Sequence, residues 1–206
     1  MALVGAIAPL GKVAGHTRSW LAETIIYTVA GSLSSLLVGS LLGLLGEWAF
    51  TIIDFGEIGL WFAIVMTLFA IAHEFEWVSY PILQLKRQTK EIWVRVFPRK
   101  VAVMLWGLDL GLTFATRITF PGAWMLVIVT ILIGKPAFGS ALFVLYWLGR
   151  ALSLWIAPLL MPDSSSTDWV QERIYGQYSL FRRIHIFGLL ITVVILGTWL
   201  VRGFIT

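Results

Sequence analysis

Residues 101–134 read VAVMLWGLDL GLTFATRITF PGAWMLVIVT ILIG, and their reading decides the fold. Only Asp109 and Arg117 are charged in that stretch. One straight helix rising 1.5 Å per residue would extend roughly 50 Å here, against a membrane hydrocarbon core of about 30 Å. Two helices or one broken helix are therefore expected. Pro121-Gly122 marks the break, because proline removes a backbone donor and glycine relaxes the chain. Backbone freed inside lipid has to be covered by protein or water. The break is thus a candidate interior position.

Outward from this stretch, further apolar runs approach the roughly 20 residues that a span requires. They cover residues 25–50, 58–72, 137–161 and 184–201. The chain has 206 residues, of which 59% are hydrophobic and 13% charged, and its mean hydropathy is +0.89. Soluble domains are roughly 45–50% apolar and about 25% charged. The expected class is all-α: a polytopic integral membrane helix bundle of five or six transmembrane helices, one broken near Pro121. Residues 1–19 read as an N-terminal arm, since no basic region precedes the apolar residues 1–10 as a signal peptide would require. Residues 20–206 read as a single transmembrane helical domain. The chain has no cysteine, which excludes thiol redox chemistry, thiolate metal sites and disulfides within it.

Loop charge suggests an orientation. Residues 86–100 carry Lys86, Arg87, Lys90, Arg95, Arg99 and Lys100, which places them in the cytoplasm by the positive-inside rule. The loop with Asp54 and Glu57 has no Lys or Arg and is expected outside. Counting 101–134 as one span or two changes the side of Arg173, Arg182 and Arg183 but hardly the overall balance. In the polar segment that follows, Pro162 to Ser166 reads as a turn. A short interfacial helix could run from there to Tyr175; a plain loop is the alternative. A net charge of +4 fits basic loops beside a multi-pass membrane span, in a bacterial inner membrane, better than a nucleic-acid surface.

Small residues recur every four positions at Gly31, Ser35, Gly39 and Gly43, and again at Gly107, Gly111 and Ala115. Such rows form grooves into which another backbone packs. They read either as a dimerisation face or as packing within one bundle, most simply against each other. Asp109, Arg117 and Arg150 lie in apolar surroundings, where charges are costly and face an interior or one another. A structural Asp109–Arg150 pair is one reading; a proton or substrate path is the other. Arg117 beside Pro121 and Gly122 would suit an anion. His73, Glu74 and Glu76 could bind a metal in principle, but they do not share one helix face, and an interfacial helix end explains them more simply. Trp48, Trp61, Trp77, Trp93, Trp155 and Trp199, among eleven tryptophans, fall near helix ends as an aromatic belt would. No dinucleotide, phosphate-loop, nucleophile-elbow or zinc-protease motif is present. No cofactor and no enzyme activity are expected.

The run Trp106-Gly107-Leu108-Asp109-Leu110-Gly111-Leu112, with Ala115-Thr116-Arg117 and Pro121-Gly122, resembles the broken helix of the CcdA/DsbD transmembrane family. Residues 139–150, with Tyr146, Gly149 and Arg150, resemble that family's following helix, and residues 31–46 an earlier one. The resemblance covers residues 27–203. It implies a scaffold shared with small exporters similar to the LysE and sulfite-exporter groups. Members of the family pass reducing equivalents through two intramembrane cysteines. Here residues 116–121 hold none, and the family's first broken helix has no counterpart, so the resemblance extends to the scaffold and not to the redox chemistry. Two roles follow as expectations. One is a non-catalytic scaffold or accessory subunit, partnered by the lipid bilayer and by other membrane subunits or a second copy. The other is a small transporter of an anionic solute, with Arg117, Asp109, Pro121, Gly122 and Arg150 as its binding residues.

Overall fold

The computed structural model describes residues 17–52, 56–78, 92–113, 122–160 and 178–205. All regular structure among them is helical: α1 Thr17–Ile52, α2 Gly56–Glu74, α3 Ile92–Val96, α4 Arg99–Gly111, α5 Gly122–Ile133, α6 Pro136–Leu160 and α7 Tyr178–Ile205. One of these, over Ser19–Ile52, is long and apolar enough to cross a membrane. Shorter apolar helices occupy Ile58–Glu74, Ala123–Ile133, Pro136–Leu152 and His185–Thr198. The N-terminal arm before Thr17 and the segment up to Tyr175, read as an interfacial helix or a plain loop, lie outside the described residues.

The helix ends have identifiable causes. At the end of α2, Trp77 N–H bonds to Ala72 O and Glu76 N–H to His73 O, both at 3.0 Å, with Glu76 at φ +63°. This is a Schellman closure with a left-handed residue at its C′ position. Helix α4 stops well before Pro121. Thr113 adopts φ +61°, and its N–H reaches back three residues to Leu110 O at 3.2 Å. Helix α4 therefore ends at Gly111, earlier than the 117–122 break expected from proline and glycine, and α5 begins at Gly122. Residues 114–121, including Arg117 and Pro121, lie outside the described residues. Between α5 and α6, Gly134 at φ +59° closes one helix and Pro136 opens the next. Glycine past a helix end and proline at a helix start are each favoured there by their backbone chemistry.

The chain forms two compact units. Unit one comprises Met1–Ser35, Lys86–Thr116 and Val144–Tyr178. Its core holds Trp20, Ala30, Ala102, Val103, Trp106, Trp147, Ala151 and Leu154. Unit two comprises Leu36–Leu85, Arg117–Phe143 and Ser179–Thr206. There Ala63 and Ile64 pack with Leu196, and Ala70, Ile71 and Met125 with Leu189. In both units small and hydroxyl side chains share the interior with these larger residues. Thr24, Ser35, Thr67 and Thr130 are fully buried, while Leu37 and Leu41 are 60% and 64% exposed. The buried hydroxyls of Thr24 and Thr67 donate to carbonyls one turn earlier, Trp20 O at 2.9 Å and Ala63 O at 2.7 Å. That satisfies them without a second chain.

Candidate functional site

The glycine rows meet backbone, and in unit one they meet each other at Gly31 and Gly111. In unit one, a Cβ added to Gly107 would lie 2.5 Å from Tyr27 O, and one on Gly111 would meet Ser34 Oγ and the backbone of Gly31. Gly31 also faces the indole of Trp147. In unit two, Gly39 abuts the backbone of Gly139, and a Cβ on Gly43 would lie 2.7 Å from Pro136 Cα. Of the two expectations for Gly39 and Gly43, that they face Gly107 and Gly111 or another backbone, the contacts match the second: Gly139 and Pro136 meet them, while Gly31 meets Gly111. The 36 residues of α1 extend roughly 54 Å, enough to present one small-residue row to two neighbours in succession.

Two helices end against an arginine from another helix. In unit one, Ser35 Oγ donates to Gly111 O at 2.8 Å and Arg150 Nη1 donates to Leu110 O at 3.4 Å. These two carbonyls belong to the last turn of α4, where the i+4 donors are lacking; Leu110 O also accepts from Thr113 N–H. The guanidinium also lies 5.9 Å from the ring centroid of Tyr146. Asp109, one residue before Leu110, is buried. Arg150 thus stands at the negative end of the α4 dipole, a favourable place for a cation. In unit two, Arg182 Nη2 donates to Glu74 O at the end of α2. It also lies 3.1 Å from Glu76 Oε1, and Arg182 Nε lies 3.7 Å from Glu74 Oε2.

Glu74 is buried, and its second oxygen is 3.7 Å from His185 Nε2. His73 Nδ1 meets Val78 O at 3.2 Å. The acidic end of α2 is therefore an ion-pair cluster with α7. Among the described residues no group of three or more His, Asp or Glu side chains could hold a metal ion. His185 and Arg182 were hidden partners, because α7 follows α2 only after a long intervening chain. Removing Arg182 would leave the Glu74 carboxylate buried without its cation. Breaking a buried pair costs about 3–5 kcal/mol, and the partial exposure of Arg182 lowers this. Arg182→Ala is expected to cost about 2–3 kcal/mol of stability and Arg182→Lys less, as measured by thermal unfolding in detergent.

A further pair was not legible in the sequence. Glu23 is buried in α1, and its Oε1 lies 2.9 Å from Arg99 Nε at the start of α4. Close by on α1, Trp20 packs edge-on to Trp155 at 6.3 Å between centroids. Trp155 Nε1 donates to Thr28 Oγ1 at 3.1 Å, and its ring is part-buried. Trp48, Trp61 and Trp77 are exposed, as a belt requires. Glu23 escaped notice because the apolar run begins at Ile25, whereas the helix begins at Thr17.

These features define an all-α protein with a membrane-length apolar helix, closely packed glycines and arginine-capped helix ends. The chain is 28% identical over 173 residues to the methylamine utilization protein MauF of Paracoccus versutus, covering 82% of this chain and 63% of that protein. It is 26% identical over 170 residues to the protein of the same name from Paracoccus denitrificans, covering 81% and 60%. The chain thus spans about three-fifths of the length of these curated relatives. No family model matches it, and no solved structure does.

Proposed function

We propose that the chain is a multi-pass membrane protein of five or six spans, a CcdA/DsbD-like scaffold without redox cysteines. Its role is that of a non-catalytic accessory subunit in methylamine utilisation, the process for which its MauF relatives are named. The observation that carries this is the distribution of side chains. Thr24, Ser35, Thr67 and Thr130 are buried beside the core aromatics, while large apolar residues such as Leu37, Leu41, Phe62, Leu145 and Val194 lie outside. Lipid tails are as apolar as leucine, so helices in a bilayer associate through close packing of small residues and leave leucines outward. The bilayer is its first partner, the bacterial inner membrane its location, and residues 86–100 face the cytoplasm. The capping of α4 by Ser35 and Arg150 supports a scaffold over a solute path, because the carbonyls released at the helix end already have protein donors.

The test is genetic. Deleting the gene in a bacterium that grows on methylamine should abolish that growth while leaving growth on ammonium and succinate intact. Wild-type protein and Arg117→Ala should both restore it. Normal growth of the deletion strain on methylamine would overturn the assignment. A small exporter of an anionic solute is the second reading, favoured by the end of α4 at Gly111 and the start of α5 at Gly122, with Arg117 between them in the sequence. It requires wild-type proteoliposomes to take up sulfite or a small carboxylate, with Arg117→Ala abolishing the flux. Arg117→Lys would then keep part of it, since the guanidinium grips an oxyanion in two places and an ammonium does not.

A further inference from the structure

We propose that the surface built by Arg95, Val96, Phe97, Arg99 and Lys100 holds the headgroups of anionic phospholipids. The proposal rests on the membrane assignment and names a specific lipid partner within it. Helix α3 ends where Phe97 N–H bonds to Trp93 O at 3.0 Å. Pro98 then takes an extended conformation, φ −54° and ψ 145°, and α4 begins at Arg99. Within six residues this short connection carries Arg95, Arg99 and Lys100, all exposed, together with Val96 and Phe97, which are 63% and 42% exposed. Lys86, Arg87 and Lys90 precede them in the sequence.

Arg99 is held in place from beneath. Its Nε lies 2.9 Å from Glu23 Oε1, yet 53% of its side chain remains accessible. The buried carboxylate thus fixes one cation of the surface, and Arg95 and Lys100 lie on either side of it in the sequence. In water, an exposed phenylalanine and valine beside three cations bring no stabilisation. At a bilayer surface they enter the boundary between headgroups and acyl chains, while the long basic side chains reach up to phosphate. Electroneutral lipids offer these cations no net charge to meet. Phosphatidylglycerol offers one negative charge per headgroup, and a juxtamembrane basic residue typically strengthens such binding roughly fivefold.

The experiment titrates the purified full-length protein in neutral detergent with short-chain phosphatidylglycerol and, separately, short-chain phosphatidylcholine, reading bound lipid by native mass spectrometry. Phosphatidylglycerol should bind at least about tenfold more tightly at about 50 mM salt, with the preference shrinking at about 500 mM. The double substitution Arg95→Gln with Lys100→Gln should cut phosphatidylglycerol affinity on the order of twentyfold and leave phosphatidylcholine binding unchanged. Arg99 is left intact so that Glu23 stays paired. An unchanged melting temperature shows that the double variant is folded; if it is not, Arg95→Gln alone, expected to lose roughly fivefold, serves in its place. Equal affinity for the two lipids, or a folded variant that binds phosphatidylglycerol like the wild type, overturns the proposal. Carbonate extraction of native membranes separates the two failures. A chain that resists extraction but shows no lipid preference sinks only this inference, whereas a chain that is released sinks the membrane assignment.

Discussion

Gly39→Leu is expected to lower the melting temperature of the detergent-solubilised protein by roughly 6–12 °C, from a loss near the top of the usual 1–3 kcal/mol for overpacking at about 2–4 °C per kcal/mol for a chain of this size. The upper end applies because the neighbour of Gly39 is the backbone of Gly139, which cannot rotate away as a side chain can. Gly43→Leu should follow, somewhat milder, since its closest neighbour stands at 2.7 Å. The control is built into the protein. Gly149, Gly188 and Gly197 have nothing within 4 Å of an added Cβ. Leucine at any of these should cost nothing and gain up to about 1 kcal/mol of helix propensity. Equal losses at Gly39 and Gly149 would mean that glycine tolerance has no relation to these contacts.

Trp147→Ala should be the most damaging single change in unit one, at about 3–5 kcal/mol. The indole is fully buried, lies against Gly31, packs at 5.0 Å on Tyr27 and donates from Nε1 to Thr28 O at 2.9 Å. Trp147→Phe keeps most of the ring and loses the hydrogen bond, so a cost of about 1–2 kcal/mol is expected. A second substitution distinguishes packing from a general weakness of the helix. Gly31→Val alone collides with the indole and should destabilise. Combined with Trp147→Ala, it enters the space left behind and should cost little or nothing more. A strictly additive double variant would show that Gly31 and Trp147 do not share that space.

The positions of the helices were legible because apolar runs bounded by charge and glycine are strong signals. Residues 25–50 and 184–201 became Thr17–Ile52 and Tyr178–Ile205, longer at both ends because polar flanks continue the helix past the apolar stretch. The interruption of 101–134 was also legible, though its start was not. Pro121 and Gly122 carry the obvious breaking chemistry, whereas the chain leaves the helix at Thr113, a β-branched residue in a left-handed conformation that no propensity favours. The candidate site was legible as residue types and not as pairings. Four-residue spacing shows that Gly39 and Gly43 share a face, and it cannot show that Gly139 and Pro136 meet them. Arg150 reaches Leu110 O, one residue along from Asp109, and a carbonyl at a helix end is a partner for a cation that no spacing of charged side chains announces. The buried roles of Glu23 and Glu74 depend on Arg99 and Arg182 arriving from elements distant in sequence, which no local pattern announces.

Single-cysteine labelling tests the multi-pass assignment most directly. The chain contains no cysteine, so each label reports only the introduced site. Glu57→Cys and Lys90→Cys stand on either side of α2, at its first turn and in the basic stretch beyond its end. A membrane-impermeant maleimide should label position 57 in intact cells and position 90 only after the inner membrane is permeabilised. Labelling of both positions from the same side would contradict a span between them, and with it the multi-pass protein proposed here.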